Sequence, residues 1–328
     1  MKHLSFRFAT TVMIVFFLAA ALLSLCAGQG GVAVLYKAAM KCDPASLVIF
    51  WEIRVPRVFM ASGIGAALAV SGAIFQTILH NQLAEPYILG VSGGASLGFV
   101  AAYALWGWGC MTGAASFAGG LLTLAAVLCT CRNRGSHGLL LSGVMINAFC
   151  GSFILLTVAF LRTNDLGRIM FWFLGDIGYV NCRQALHWLL FFGLTGILLM
   201  TASHKLDLLL LGDDAALCLG TGSRNFIFLM LFMVTILVSG SVAAAGPIGF
   251  VGLVVPHVLR MLAGSRHLIL LPASLVCGAA FLMLCDAIAR MLPLQGELPI
   301  GVVTSFIGAP VFICLLSRKK FADAVIVS

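Results

Sequence analysis

The sequence predicts an all-α polytopic membrane protein of about ten transmembrane helices, and three observations predict it. Hydrophobic residues make up 62% of the chain and charged residues 9%, against about 45–50% and about 25% in soluble domains. Apolar stretches of spanning length, about 20 residues each, recur from end to end. The 19 Lys and Arg residues fall in short clusters between those stretches, not along one stripe. A soluble chain of this composition would have nowhere to place its apolar surface. The formal net charge of +8 is therefore assigned to lipid headgroups and topology signals, and nucleic acid is excluded as a partner.

Taken in order, the first span covers about residues 8–28. Lys2, His3 and Arg7 ahead of it imitate a secretory signal. The run is long enough to cross, however, and Leu23-Ser24-Leu25-Cys26 is a poor lipoprotein site, so the segment is read as a retained span. An outer segment at 29–53 follows, carrying Lys37, Lys41, Asp43 and Pro44. The next spans cover about 57–79, 87–106, 112–130, 139–161 and 187–203. The last four cover about 225–245, 248–263, 270–290 and 300–317. Residues 1–328 thus form a single transmembrane domain.

An even span count and the basic tail Arg318-Lys319-Lys320 place both termini in the cytoplasm. The positive-inside bias is weak, because Lys37, Lys41, Arg54, Arg57, Arg162, Arg168, Arg183 and Arg290 then fall outside. Those outer arginines need their own explanation.

Small residues mark helix contacts. Gly90, Gly94 and Gly98 repeat every four residues, and Gly65, Ala69 and Gly72 crowd the second span. In lipid such stripes let backbones approach closely. Gly90-Val-Ser-Gly-Gly94 is not a nucleotide loop, since no lysine in the chain follows a glycine. Breaks at Pro86, Gly246-Pro247, Pro256, Pro299 and Pro310 either free backbone groups toward a cavity or are plain kinks. Most of the 11 cysteines lie in apolar runs and are read as packing residues; Cys42 and Cys182 leave an outer disulfide open.

Three polar groups stand out. In the inner loop at about 205–224, Asp213 and Asp214 can cap a two-turn helix that Gly220 ends. That helix is too short to stand alone and either packs on a partner or is an ordinary capped connector. Arg54-Val-Pro-Arg57 and Arg290 sit at the outer mouth, suited to carboxylates of a docking protein or an anionic ligand. Headgroup anchoring is the alternative, with Asp286 one turn from Arg290. The inner hairpin His80-Asn81-Gln82-Leu83-Ala84-Glu85-Pro86 fits a gate or a plain turn. Intramembrane Asp and Glu are scarce, which disfavours an ion-driven carrier, and no catalytic constellation supports a membrane enzyme.

Six motifs in order resemble the FecCD-type permeases of ABC importers for iron–siderophore complexes, haem and vitamin B12. They are Arg54-Val-Pro-Arg57, Gly65-Ala-Ala-Leu-Ala-Val-Ser-Gly-Ala-Ile-Phe-Gln76, Asn81-Gln-Leu-Ala-Glu-Pro-Tyr-Ile-Leu-Gly-Val-Ser-Gly-Gly-Ala-Ser-Leu-Gly98, Leu211-Gly-Asp-Asp-Ala215, Gly249-Phe-Val-Gly-Leu-Val-Val-Pro-His257 and Glu297-Leu-Pro-Ile-Gly-Val-Val-Thr-Ser-Phe-Ile-Gly-Ala-Pro310.

The resemblance implies a type II importer architecture: a homodimer of ten-span subunits in the bacterial inner membrane, working by alternating access. Two cytoplasmic ATPase subunits would use ATP and Mg, and this chain would bind no cofactor or metal. A periplasmic or lipid-anchored binding protein would deliver an iron(III)–siderophore or related metal chelate. It further implies docking roles for Arg54, Arg57 and Arg290. Coupling to the ATPase would fall to Gly212, Asp213, Asp214, Ala215, Leu217, Leu219 and Gly220. The inner gate would include Asn81 and Leu83, and the pathway Ser142, Asn147, Thr304 and Ser305. The family usually has proline after the gate asparagine and often arginine before it; Gln82 and His80 stand there instead, implying a looser hairpin.

Overall fold

The computed structural model describes residues 6–28, 30–40, 43–131, 135–161, 163–210, 224–292 and 297–317. The described residues are helices and connectors, without strands. Helix α1 (Phe6–Cys26) is followed by a short α2 (Gly31–Ala39). Helix α3 (Pro44–Ile78) begins well before residue 57, where hydropathy alone places it. Asp43 explains the early start: its carboxylate accepts the Ala45 N–H at 3.1 Å and the Ser46 hydroxyl at 2.7 Å, with Pro44 in the first turn. Over Ile49–Arg54 the helix is π-wound, a wide turn that puts Arg54 inward.

Beyond α3 come α4 (Val91–Trp106), α5 (Cys110–Thr130) and α6 (Gly135–Ala159). Then follow α7 (Thr163–Phe173), α8 (Cys182–Met200) and a short α9 (Ser203–Leu209). The last four are α10 (Arg224–Ala245), α11 (Val251–Ala263), α12 (His267–Met291) and α13 (Ile300–Leu316). Helices α3, α5, α6, α8, α10 and α12 are each long and apolar enough to cross a bilayer. Helix α1, bent at its end, and the shorter apolar α4, α11 and α13 bring the apolar helices to ten, each lying where hydropathy predicts a span.

The core is built around α3, which packs against α8, α10, α11 and α12. A Cβ at Gly65 would overlap the Gly278 carbonyl of α12, and one at Gly72 would overlap the Gly252 carbonyl of α11. The same rule pairs α4 with α5, where Gly94 faces the Gly119 carbonyl and Gly98 that of Ala115. The small-residue stripes are packing seams. The nine described cysteines are all free thiols, Cys182 among them, and Cys42 lies outside the described residues.

One element was not foreseen. The stretch 161–187, expected as an outer loop, contains α7, an amphipathic helix too short to cross. Its Trp172 stacks on Phe99 of α4 with centroids 3.7 Å apart. The irregular residues behind it reach inward: the Asp176 N–H donates to Ala245 O at 2.9 Å, and Gly301 N–H to Gly175 O at 3.3 Å. This segment joins the end of α10 to the start of α13.

Candidate functional site

Helix α11, with 13 residues, is only about 20 Å long, and α4, with 16, about 24 Å. Neither matches the roughly 30 Å hydrocarbon core. Before α11 the chain at 246–250 is non-helical, before α4 it makes a single 3₁₀ turn over Pro86–Leu89, and the two breaks meet. Gly252 packs against Gly72 and Leu68 on α3 and against the Pro86 ring. Gly72 is six residues from the end of α3, or about 9 Å along its axis.

Broken backbone at membrane depth must find partners within the protein. At 246–250 the chain turns through left-handed residues Gly246 (φ 69°) and Phe250 (φ 68°); the latter is a conformation side chains rarely adopt. Its donors and acceptors are met from the other break. The Glu85 carboxylate accepts the Phe250 N–H at 2.6 Å, at the N-terminus of α11. The Tyr87 hydroxyl lies 2.6 Å from both the carbonyl and the amide of Ile248, donating to one and accepting from the other. A negative side chain at a helix N-terminus also suits the dipole.

The hairpin leading to Glu85 is tight, not loose as the Gln82 substitution implied. Asn81 Oδ1 accepts the Leu83 N–H at 2.8 Å, and the Asn81 N–H donates to Gln76 O at 3.1 Å. His80 takes a left-handed φ of 48°, and its Nε2 sits 3.1 Å from the Leu209 carbonyl of α9. Gln82 is exposed. Of the two positions expected at the inner gate, Asn81 is occupied in its own turn and Leu83 is half-buried.

A buried polar chain runs from α9 to α11. Asp207 Oδ1 lies 2.6 Å from the His267 amide N and 2.8 Å from its Nδ1. His267 Nε2 lies 2.7 Å from the Thr77 hydroxyl. Arg260 donates to that hydroxyl at 3.4 Å, to Ala73 O at 3.0 Å and to the Gln76 carboxamide oxygen. Gln76 Nε2 in turn donates to the carbonyls of Gly252 and Leu253, at 3.3 and 3.4 Å. Thr77, Gln76 and His267 are buried.

At the opposite end of the bundle the arginines are engaged inside the subunit. Arg54 is 2% exposed and donates to Leu25 O at 2.7 Å and Gly31 O at 3.0 Å. Arg290 pairs with Asp286 at 2.7 Å and donates to the carbonyls of Ser24 and Ala27 at 2.8 and 3.2 Å. Arg57 bridges the same buried Asp286, at 3.3 Å, to Glu297. Of this cluster Glu297 is the open member, its side chain 55% exposed.

The expected pathway residues divide. Ser142 and Thr304 are buried, the Thr304 hydroxyl donating to Gly301 O at 3.1 Å. Asn147 is exposed on α6, against Gly90 and Gly93. Ser305 borders a cavity of about 520 Å³ with Pro247, Gly249, Gly301 and Phe306. Asn147 and Ser305 therefore flank the double break. Gly212, Asp213, Asp214, Ala215, Leu217, Leu219 and Gly220 lie outside the described residues. No group of three or more metal-ligating side chains occurs among the described residues.

Residues 13–318 match the FecCD transport family. The chain belongs to that family. It is 41% identical over 286 residues to the uncharacterized ABC transporter permease YvrB of Bacillus subtilis strain 168, covering 84% of this chain and 81% of that protein. It is 38% identical over 313 residues to the vitamin B12 import permease BtuC of Escherichia coli O9:H4 strain HS, covering 93% and 94%. A solved chain described as an inward-facing conformation of a metal-chelate type ABC transporter superposes with a TM-score of 0.86 at 30% identity, over 94% of this chain and 98% of that one. This FecCD permease is thus a multi-pass membrane protein of type II importer architecture.

Sequence reasoning missed Arg260, Gln76, Thr77 and His267. Each sits in or at the end of an apolar run, where a lone polar residue carries no partner information. The available signal was Arg260 itself, an unaccompanied cation inside a predicted span, which by its cost implies a function.

Proposed function

We propose that the chain is the permease subunit of an ABC importer, translocating an iron(III)–siderophore or related metal chelate by alternating access. The observation that carries this is the double break: the chain ahead of the short helices α4 and α11 is clipped together by Glu85 and Tyr87, with a cavity opening beside it. Transporters use such interrupted helices at their moving sites. Cobalamin permeation is the second reading, favoured by the near full-length identity to BtuC.

In this reading two copies pair around the pathway, flanked by Asn147 and Ser305. The end bearing α9 faces the cytoplasm, as do both termini, in the bacterial inner membrane. Two ATPase subunits bind there through 205–224, hydrolyse ATP with Mg, and supply all the chemistry; the permease is not an enzyme. The binding protein docks on the arginine end. Arg57 and Glu297 form the surface, while Arg54 and Arg290 shape it from beneath.

The test is uptake of labelled ferric siderophores, haem and cobalamin by cells with and without this gene, with ATP intact and depleted. ATP-dependent uptake of one chelate, lost with the gene, is the expected result. Uptake that survives ATP depletion but collapses with an uncoupler would replace it with an ion-driven carrier.

A further inference from the structure

The polar chain from Asp207 to Gln76 has no role in holding spans of ordinary length together. Small-residue seams already do that for α3, α11 and α12. Three helices would pack equally well with apolar groups at 76, 77, 260 and 267, and burying a polar side chain is costly unless its partners are all supplied. Here they are supplied one by one, and in one direction. Arg260 is an obligate donor. The Thr77 hydroxyl has one proton and two acceptors in reach, Ala73 O at 2.9 Å and His267 Nε2 at 2.7 Å; because Ala73 O also receives Arg260 at 3.0 Å, the hydroxyl can turn its proton to a neutral imidazole, whose own proton on Nδ1 is then aimed at Asp207 Oδ1. Guanidinium, hydroxyl, imidazole and carboxylate then form a single donor-to-acceptor series, polarised along its length by opposite charges at its two ends.

The ends of that series are what give it meaning. Asp207 lies on α9, a two-turn helix in the segment that the proposed reading assigns to ATPase contact, and its side chain is 25% accessible. At the other end, Arg260 fixes Gln76, and Gln76 holds the carbonyls of Gly252 and Leu253 in the first turn of α11. That turn begins at the strained Phe250, which Glu85 clips from the gate hairpin. Displacing α9 therefore pulls on the start of α11 through hydrogen bonds whose alternatives, in a dry interior, are unsatisfied groups.

We infer that Asp207, His267, Thr77 and Arg260 are positioning residues: they set the break at 246–250 according to where α9 stands. This deepens the proposed importer reading and rests on it.

The test uses the permease reconstituted with its ATPase subunit in lipid nanodiscs. A Gly249→Cys reporter sits at the break, where an added Cβ meets nothing closer than Glu85 Oε1 at 3.8 Å. Its labelling by a small maleimide is followed by peptide-resolved mass spectrometry, with and without ATP and Mg. ATP is expected to change the reporter's labelling rate several-fold. Adding Asp207→Ala should abolish that change while ATP hydrolysis continues, and Asp207→Asn, which keeps an acceptor, should restore part of it. Thr77→Val, close to isosteric, interrupts the chain at its centre and should give the same loss should Asp207→Ala fail to fold. A full nucleotide response in either Asp207→Ala or Thr77→Val overturns the inference and leaves the importer standing. No nucleotide response with the reporter alone overturns the importer reading, and the inference with it.

Discussion

Helices α3 and α6 are similar in hydropathy and opposite in fate. The apolar window of α3 is 83% buried within the subunit, that of α6 only 22%. Helix α3 carries Gly63, Gly65, Gly72 and several alanines, while α6 shows Met145, Phe149, Phe153 and Leu155 to the outside. In lipid, apolarity does not sort a helix inward, because the surroundings are equally apolar; side-chain size does. The glycines of α3 meet neighbouring backbone at Gly278 and Gly252, whereas on α6 Gly143 is closely approached, by Ile88 and Leu89, and Gly151 meets nothing within 4 Å.

Several changes would break or sharpen this contrast. The largest effect is expected from Gly72→Leu, which drives a side chain into the Gly252 carbonyl. Overpacking of more than about 3 kcal/mol is expected, since backbone and not a flexible side chain stands in the way. The check is the monodisperse fraction after detergent extraction, and near-normal recovery would show the seam to be loose. Next comes Asp286→Ala, which leaves Arg57 and Arg290 without their buried carboxylate. A loss of about 3–5 kcal/mol is expected for a broken buried pair, read as a lowered thermal midpoint.

Changes on α6 should behave differently. Phe149→Ala with Phe153→Ala is expected to alter subunit stability by about 0.5 kcal/mol or less while reducing association of two copies, measured by light scattering of the purified permease. Unfolding of the subunit would show that this face is core after all. The smallest effect on folding is expected from Asn147→Ala. It should leave the thermal midpoint unchanged and lower chelate uptake several-fold, and unaltered uptake would remove Asn147 from the pathway.

The spans were legible because bilayer thickness imposes a length on every crossing, and the breaks because proline and glycine punctuate them. The seam at Gly94 and Gly98 was readable from spacing alone. The partners of polar residues were not. Arg290 and Asp286 are one turn apart and could be paired on paper, whereas Arg57 and Asp286 are 229 residues apart and could not. Separations of 60 and 165 residues likewise hid Asp207 from His267 and Glu85 from Phe250. Helix α7 escaped because its amphipathic pattern, with Asp165 and Arg168 in an otherwise apolar segment, resembles an ordinary loop between spans. Of the three arginines expected at the outer mouth, Arg54 and Arg290 turn inward, and Arg57 keeps a narrow exposed edge beside Glu297.

Their inward contacts bear on how the chain is made. The last carbonyls of α1 and the turn after it, Ser24, Leu25 and Ala27, accept from Arg54 and Arg290, taking up acceptors that a helix end leaves open. Arg54 follows soon after α1 leaves the ribosome, but Arg290 is synthesised when nearly nine-tenths of the chain already exists. The end of α1 is therefore completed only once α12 is in place. A product lacking α12 leaves the Ser24 and Ala27 carbonyls without their guanidinium, so the end of one helix depends on the arrival of another far along the chain.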